Sequence, residues 1–260
     1  MSALPSDLRE AVQRLAETPE LLVALDFDGT LAPEVDRPDD ARALPEAQDA
    51  VLRLLELPAT HVAFISGRAM DSLRHVTGLP ESALLVGSHG VEVRVDGRTA
   101  IDLDDAERAR RDELGRTLEA IADGIDGAWV EEKPAGFALH TRLADDAGTE
   151  EATSRALTET DPEGNGLTVR SGKNVLEFSV RSTTKGEAVA RLREQTGATA
   201  VLFAGDDVTD EDGFAALGEG DLGLKSGKGE TRASHRVDGP ADVAAVLAAL
   251  DAARRAVGSA

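Results

Sequence analysis

The chain has 260 residues, no cysteine, and 49 acidic against 28 basic residues for a formal net charge of -21. That length allows one large domain or two modest ones with a substantial core, and the missing cysteines exclude disulfides, thiolate metal sites and a Cys nucleophile. The charge opposes encounter with nucleic acid or anionic membranes, and no apolar run approaches the ~20 residues of a membrane span, so neither is expected as a partner. The N-terminal residues lack a basic region followed by an apolar core, and a soluble, cytoplasmic, monomeric protein is expected. Arg carries most of the positive charge. The lysines are Lys133, Lys173, Lys185, Lys225 and Lys228, all in or beside segments with Gly or Pro, and they are read as places that need a compact ammonium.

Residues 6–17 carry Leu8, Val12 and Leu15 at helical spacing behind Ser6 or Asp7, the pattern of a capped packing helix. Next, Leu21-Leu22-Val23-Ala24-Leu25 is an uninterrupted apolar run, as expected of a strand buried on both faces. It leads into Asp26-Phe27-Asp28-Gly29-Thr30. Asp-Gly is a common turn pair, but here two carboxylates two residues apart leave a buried strand and project to one side. Such a pair is costly unless a cation or donors compensate, so the segment points to a metal or phosphate site. A polar Pro/Asp loop over residues 33–40 precedes a helix with Ala47, Val51, Leu54 and Leu55 on one face. A second buried strand, residues 61–65, then ends in Ser66-Gly67-Arg68. Strand, helix and strand imply a right-handed parallel crossover. The hydroxyl, the permissive backbone and the guanidinium stand before a helix over residues 69–77, whose free N–H groups suit a phosphate.

A third strand over residues 83–86 leads into Gly87-Ser88-His89-Gly90-Val91-Glu92, with His89 read as a loop-orienting side chain, and residues 91–95 with Asp96-Gly97 form a hairpin. From 104 to 123 the pattern is helical and highly charged. Strand, turn and strand follow over 129–134 and 136–142, then a helix over 150–160, then a hairpin of 167–170 and 174–178 around Ser171-Gly172-Lys173. Helices separated from paired short strands indicate an α+β module, so the expected division is a core of residues 1–103 and 181–260 with 104–180 inserted as a second domain. The α/β pattern resumes where Ser182-Thr183-Thr184-Lys185-Gly186 opens a helix over 187–196. The strand 200–204 then discharges into Gly205-Asp206-Asp207-Val208-Thr209-Asp210-Glu211-Asp212, where six acidic or hydroxyl side chains fall within eight residues. That cluster of hard ligands suits Mg²⁺. A helix over 213–217, a strand over 222–224, a Gly/Lys loop to Thr231 and a helix over 241–254 complete the reading.

Three strand ends thus carry two aspartates, a Ser with an Arg, and an acidic cluster, while Lys185 opens a helix between the last two. In a doubly wound sheet these converge on one crevice. A phosphate approaching several carboxylates needs Mg²⁺ and Lys to neutralise the site, so the mixture points to metal-assisted phosphoryl transfer with a carboxylate nucleophile and a neighbouring acid for the leaving group's proton.

Asp26-Phe27-Asp28-Gly29-Thr30, Ser66-Gly67-Arg68, Lys185 and Gly205-Asp206-Asp207-Val208-Thr209-Asp210-Glu211 resemble, together, the four motifs of the haloacid dehalogenase superfamily of phosphatases. Within it, Gly87-Ser88-His89-Gly90-Val91-Glu92, Glu131-Glu132-Lys133, Gly172-Lys173-Asn174-Val175-Leu176-Glu177 and Thr184-Lys185-Gly186 are similar to the loops of the trehalose-6-phosphate phosphatase family. The resemblance runs from about Leu21 to the C-terminal helix and departs at Thr184, where that family often has Asn. It implies a Rossmann-like doubly wound parallel core with an inserted α+β cap, and Mg²⁺-dependent hydrolysis of a small sugar phosphate, trehalose 6-phosphate, through an aspartyl-phosphate. On the matching positions it implies Asp26 as nucleophile and metal ligand, and Asp28 as general acid/base with its carbonyl also on the metal. Asp206 and Asp207 would complete the metal set with Asp210 in support, and Thr30, Ser66, Gly67, Arg68 and Lys185 would hold the phosphoryl group. Glu131, Lys133, Lys173 and Glu177 of the cap would meet sugar hydroxyls. Two alternatives stand beside it: another sugar-phosphate phosphatase or phosphomutase on this scaffold, such as a sucrose-phosphate or mannosyl-3-phosphoglycerate phosphatase, and a non-catalytic sugar-phosphate sensor.

Overall fold

The first part of the chain alternates helix and strand: α1 (Ser6–Ala16), β1 (Leu21–Leu25), α2 (Pro45–Leu55), β2 (Thr60–Ile65), α3 (Met70–Thr77) and β3 (Leu84–Gly87), then the pair β4 (Glu92–Val95) and β5 (Arg98–Ile101). After a segment of different character come α6 (Lys185–Thr196), β10 (Ala200–Gly205), α7 (Asp210–Ala215), β11 (Leu222–Ser226), β12 (His235–Val237) and α8 (Pro240–Gly258). The structure, a computed structural model, describes residues 4–258 other than Asp36, Asp96, Asp102, Lys173 and Ser182. The readings of Asp96 as a turn residue, of Lys173 as a sugar contact and of the His89 side chain lie outside the described residues.

Among the described residues these strands form one sheet in the order β12-β11-β10-β1-β2-β3-β4-β5. The six strands from β12 to β3 pair in parallel, and β4 turns back antiparallel to β3. The apolar run of β1 follows from its place at the centre. Leu21, Val23 and Leu25 pack on one face with Leu8, Val51, Leu73 and Leu247 from α1, α2, α3 and α8. Leu22 and Ala24 pack on the other with Val189, Leu192 and Phe214 from α6 and α7. A strand covered on both sides cannot show polar alternation. Strand order reverses between β1 and β10, so a crevice opens at the carboxyl ends of those strands.

The middle segment comprises α4 (Asp105–Asp123), β6 (Trp129–Lys133), β7 (Gly136–His140), α5 (Asp146–Thr160), β8 (Thr168–Gly172) and β9 (Val175–Ser179). Its strands form an antiparallel sheet in the order β6-β7-β9-β8. Internal contacts divide the chain into two compact units, residues 1–100 with 183–260, and residues 101–182.

The expected parallel α/β core is present, and several elements differ from the sequence reading, among them α8, which runs to Gly258 rather than 254. Helix α5 begins at Asp146 rather than near 150, because Asp145 caps it by accepting the Gly148 N–H at 2.8 Å. Helix α7 begins at Asp210 rather than 213. Its first turn holds Asp210, Glu211 and Asp212, where the helix dipole favours negative charge. Strand β12 lies outside the sequence reading, since three residues His-Arg-Val carry no periodicity; pairing with β11 and burial of Val237 in the core fix it.

Candidate active site

The peptide N–H of Asp26 still donates to the Ala204 carbonyl at 2.9 Å, which carries the β1–β10 pairing one residue past the strand. The chain then turns: Leu31 and Ala32 both donate to the Phe27 carbonyl, and Gly29 donates to Ala32 at 2.8 Å. Phe27 and Leu31 are fully buried and anchor this turn in the core. Gly29 adopts φ +71°. A Cβ there would also lie 2.0 Å from Oδ2 of Asp206, so only glycine allows the two acidic loops to approach this closely.

Lys185, 3% exposed, is the first residue of α6. Thr184 caps that helix reciprocally: its hydroxyl accepts the Glu187 N–H and the Glu187 carboxylate accepts the Thr184 N–H, each at 3.2 Å. Thr and Asn are both good N-caps, which accounts for Thr at this position. The Lys185 ammonium donates at 2.7 Å to Asp26 Oδ1 and at 2.7 Å to Asp210 Oδ1. The second oxygen of Asp210 accepts the N–H groups of Asp206 and Asp207, both at 2.9 Å. Asp210 therefore ties Lys185 to the loop after β10 with both of its oxygens committed. The Thr30 hydroxyl lies 3.4 Å from Asp26 Oδ2 and 3.4 Å from Asp206 Oδ1.

Asp26, Asp206 and Asp210 present oxygens within 4.8 Å of one another. Burial pushes Asp26 from 3.8 up to about 7; Lys185 opposes that shift, and Asp210 and Asp206 add to it. Asp206 rises to about 6, first by burial and then through Asp210. Burial also disfavours the Lys185 charge, but Asp26 and Asp210 outweigh it and hold its pKa above the ordinary value. Three carboxylates against one ammonium leave a surplus of buried negative charge, and the donors are all oxygen. That chemistry fits a hard divalent cation at Asp26 and Asp206.

A cleft of about 740 Å³ opens here, lined by Asp26, Asp28, Ser66, Gly67, Arg68, Lys185, Asp206 and Asp207. The expected core residues are thus gathered, with two differences of detail. Arg68 grips Asp28 with two hydrogen bonds of 2.6 and 2.7 Å, and this contact raises the arginine's pKa. Asp207 turns its Oδ1 to the Val208 N–H at 2.6 Å, while Asp210 joins the acidic cluster in its place. Ser66, 2% exposed, accepts the Arg68 N–H at 3.2 Å.

In the second unit, strand register sets Glu131 and Lys133 of β6 and Glu177 of β9 on one face of the sheet: Glu131 and Glu177 both lie opposite Ala138. Phe137, Leu139, Leu176 and Phe178 occupy the other, buried face. Glu131 bridges Lys133 at 2.5 Å and His140 Nε2 at 2.9 Å. The lysine hydrogen bond lowers its pKa most, burial opposes this, and His140 adds to the lowering. Trp129 stacks on His140 with ring centroids 4.8 Å apart and an interplanar angle of 4°.

Thr209, part of the expected cluster, also lines the cleft, whereas Glu34, Val35, Pro38 and Ser72 of the cleft and Trp129 and His140 beside Glu131 lie outside the sequence reading. Period-two spacing along β6 puts Trp129 in line with Glu131 and Lys133, a signal present in the sequence; His140 follows from strand pairing, Glu34, Val35 and Pro38 from the loop path, and Ser72 from its place on α3.

Residues 24–249 match the trehalose-phosphatase family. The chain is similar to the trehalose-6-phosphate phosphatase of Escherichia coli K12, at 38% identity over 88% of this chain and 87% of that protein. It is also similar to the bifunctional trehalose-6-phosphate synthase/phosphatase of Thermoproteus tenax, at 34% identity over 90% of this chain and 31% of that protein, so it spans about a third of that relative's length. Among solved structures, the trehalose-6-phosphate phosphatase of Aspergillus fumigatus in crystal form 3 superposes with a TM-score of 0.70 at 26% identity, over 97% of this chain and 99% of the other.

Proposed function

Because this chain belongs to the trehalose-phosphatase family, we propose that it hydrolyses trehalose 6-phosphate to trehalose and phosphate, with Asp26 as nucleophile and Mg²⁺ as its cation. The observation that carries this reading is Asp26 itself. It is a buried carboxylate at the carboxyl end of β1, held by Lys185 at 2.7 Å, and it lines an open cleft beside a second acid, Asp28. A binding site alone has no use for that pair.

In the first step an Asp26 oxygen attacks phosphorus, the bond from phosphorus to the sugar oxygen breaks, and Asp28 delivers a proton to the departing oxygen. In the second, Asp28 takes a proton from water as its oxygen attacks phosphorus. The bond to Asp26 then breaks, phosphate leaves and the carboxylate is restored. Lys185 and Thr30 hold Asp26 in position, while Ser66, Gly67 and Arg68 receive the phosphoryl oxygens. For Arg68 this means exchanging its grip on Asp28 for the substrate, which also frees Asp28 for proton transfer. Bound at Asp26 and Asp206, Mg²⁺ would neutralise carboxylate charge and polarise the phosphoryl oxygens.

The second unit is assigned as the cap that selects the sugar, through Glu131, Lys133 and Glu177, with Trp129 offering a flat apolar face. All the catalytic groups come from one copy, so a monomer suffices, and the cysteine-free chain suits a reducing cytoplasm.

The test is steady-state phosphate release across trehalose 6-phosphate, sucrose 6-phosphate, glucose 6-phosphate and mannosyl-3-phosphoglycerate, with Asp26→Asn as the inactive control. A preference for trehalose 6-phosphate below about tenfold would overturn the substrate assignment. Turnover by Asp26→Asn near that of wild type would overturn the nucleophile.

A further inference from the structure

The reaction above uses Lys185 and leaves a second buried lysine without a task. Lys225, near the end of β11, is 3% exposed. Its ammonium donates at 2.5 Å to the carbonyl of Asp206 and at 3.4 Å to that of Asp207, with Glu211 Oε1 at 3.8 Å. Burying an ammonium is costly, and here it is compensated mainly by two backbone carbonyls of the loop that carries Asp206. The next residue, Ser226, is also buried, and its hydroxyl donates at 2.8 Å to the carbonyl of Gly29. Two consecutive residues of one strand therefore fasten both acidic loops, one after β1 and one after β10. These are the loops whose contact leaves no room for a Cβ at Gly29.

We propose that Lys225 and Ser226 are positioning residues that set the spacing of the Asp26 and Asp206 carboxylates, and through it the affinity of the site for a divalent cation. The proposal rests on the reading of that pair as a cation site. Two effects of Lys225 have opposite signs. As a positive charge nearby it repels a cation, so on charge alone its removal would tighten binding. As a tether it holds Asp206 in place, so its removal weakens binding, by about 10-fold or more where ligand-orienting partners are lost.

The experiment counts free Mn²⁺ by electron paramagnetic resonance in titrations of the full chain without sugar phosphate. The proteins are wild type, Asp206→Asn, Lys225→Met, Lys225→Gln, Ser226→Ala and Lys228→Met. Lys228 lies on the exposed loop after β11, so Lys228→Met makes the same change of charge without touching either carbonyl. Expected results are a Kd raised about 10-fold in Lys225→Met, less in Lys225→Gln, which keeps a donor, severalfold in Ser226→Ala, and unchanged in Lys228→Met. In parallel, the Mg²⁺ concentration for half-maximal phosphate release should rise, with kcat and the sugar-phosphate KM at saturating Mg²⁺ within about twofold of wild type. A merely structural role would lower thermal stability without that split. Should Lys225→Met fail to fold, Lys225→Gln and Ser226→Ala decide alone: unchanged or tighter Mn²⁺ binding in both overturns the proposal. Wild type that binds no Mn²⁺ sensitive to Asp206→Asn overturns the cation-site reading, and the proposal with it.

Discussion

Replacing Lys185 by Met removes the ammonium between Asp26 and Asp210 while keeping most of the aliphatic volume. The lysine is 3% exposed and makes charge-assisted hydrogen bonds of 2.7 Å to both carboxylates. Removing one partner of a buried ionic group costs about 3–5 kcal/mol, because it strands charge that neither water nor protein compensates. The cost depends on pH with a definite sign. Burial raises the Asp26 pKa from 3.8 to about 7, so ionising it opposes folding, and wild-type stability from this group falls as pH climbs through that interval and levels off above it. Without Lys185 the contribution that lowers this pKa is lost, and the fall continues to higher pH. The penalty of Lys185→Met is therefore smaller near pH 5, where Asp26 is protonated in both proteins and the substitution strands no charge on it. It should reach about 3–5 kcal/mol near pH 8. Urea unfolding followed by far-UV circular dichroism, with chelator present, measures it. Trp129, the single tryptophan, lies in the other unit and reports that unit's unfolding separately by fluorescence. A penalty below about 1 kcal/mol at pH 8, or one larger at pH 5 than at pH 8, would refute the electrostatic account.

Gly29→Ala should place a methyl 2.0 Å from Asp206 Oδ2 at φ +71°, displacing that carboxylate and lowering phosphate release by about 10²-fold; turnover equal to wild type would show that the two loops need not touch. Thr184→Ala should cost about 1 kcal/mol in thermal unfolding, while Thr184→Asn should stay within a few tenths, since Asn caps equally well. With Asp206 at about 6 and Asp26 at about 7, a cation must displace protons as pH falls, so its affinity should weaken below pH 7 and more steeply below 6. Calorimetric titrations in buffers of different ionisation enthalpy would detect the released protons, and zero release at pH 6 would contradict the raised pKa values. The net charge of -21 predicts a melting temperature that rises between about 0.1 and 1 M NaCl as self-repulsion is screened; a flat response would argue that the charges are already paired locally.

Much of the core was legible because its signals are local. The apolar run 21–25 announced a strand covered on both faces, and each chemical motif stood at the end of such a run, so a doubly wound sheet was enough to bring them together. Thr184 with Glu187 announced a capped helix, and the cap is there. The acidic loop after β10 was readable as a cluster, but not which of its members would face the site. Asp210 rather than Asp207 meets Lys185, because α7 begins at Asp210 and turns that side chain back under the loop. Strand β12 and the edges of α5 and α7 were less legible, since pairing and capping rather than periodicity fix them.

What the sequence determined by itself, then, is the set of chemically active strand ends and their family resemblance, since both are written in stretches of a few residues. Only the tertiary structure decided how their oxygens and nitrogens are partnered. Lys185 meets Asp26 across 159 positions of sequence, through the packing of α6 on β1, and Ser226 meets Gly29 across 197, through the register of β1, β10 and β11. Arg68 likewise spends its guanidinium on Asp28, 40 residues away, and Lys225 on two carbonyls that carry no side-chain signature at all. A motif reports which groups are present, whereas the sheet's strand order and register determine which of them lie within hydrogen-bonding distance.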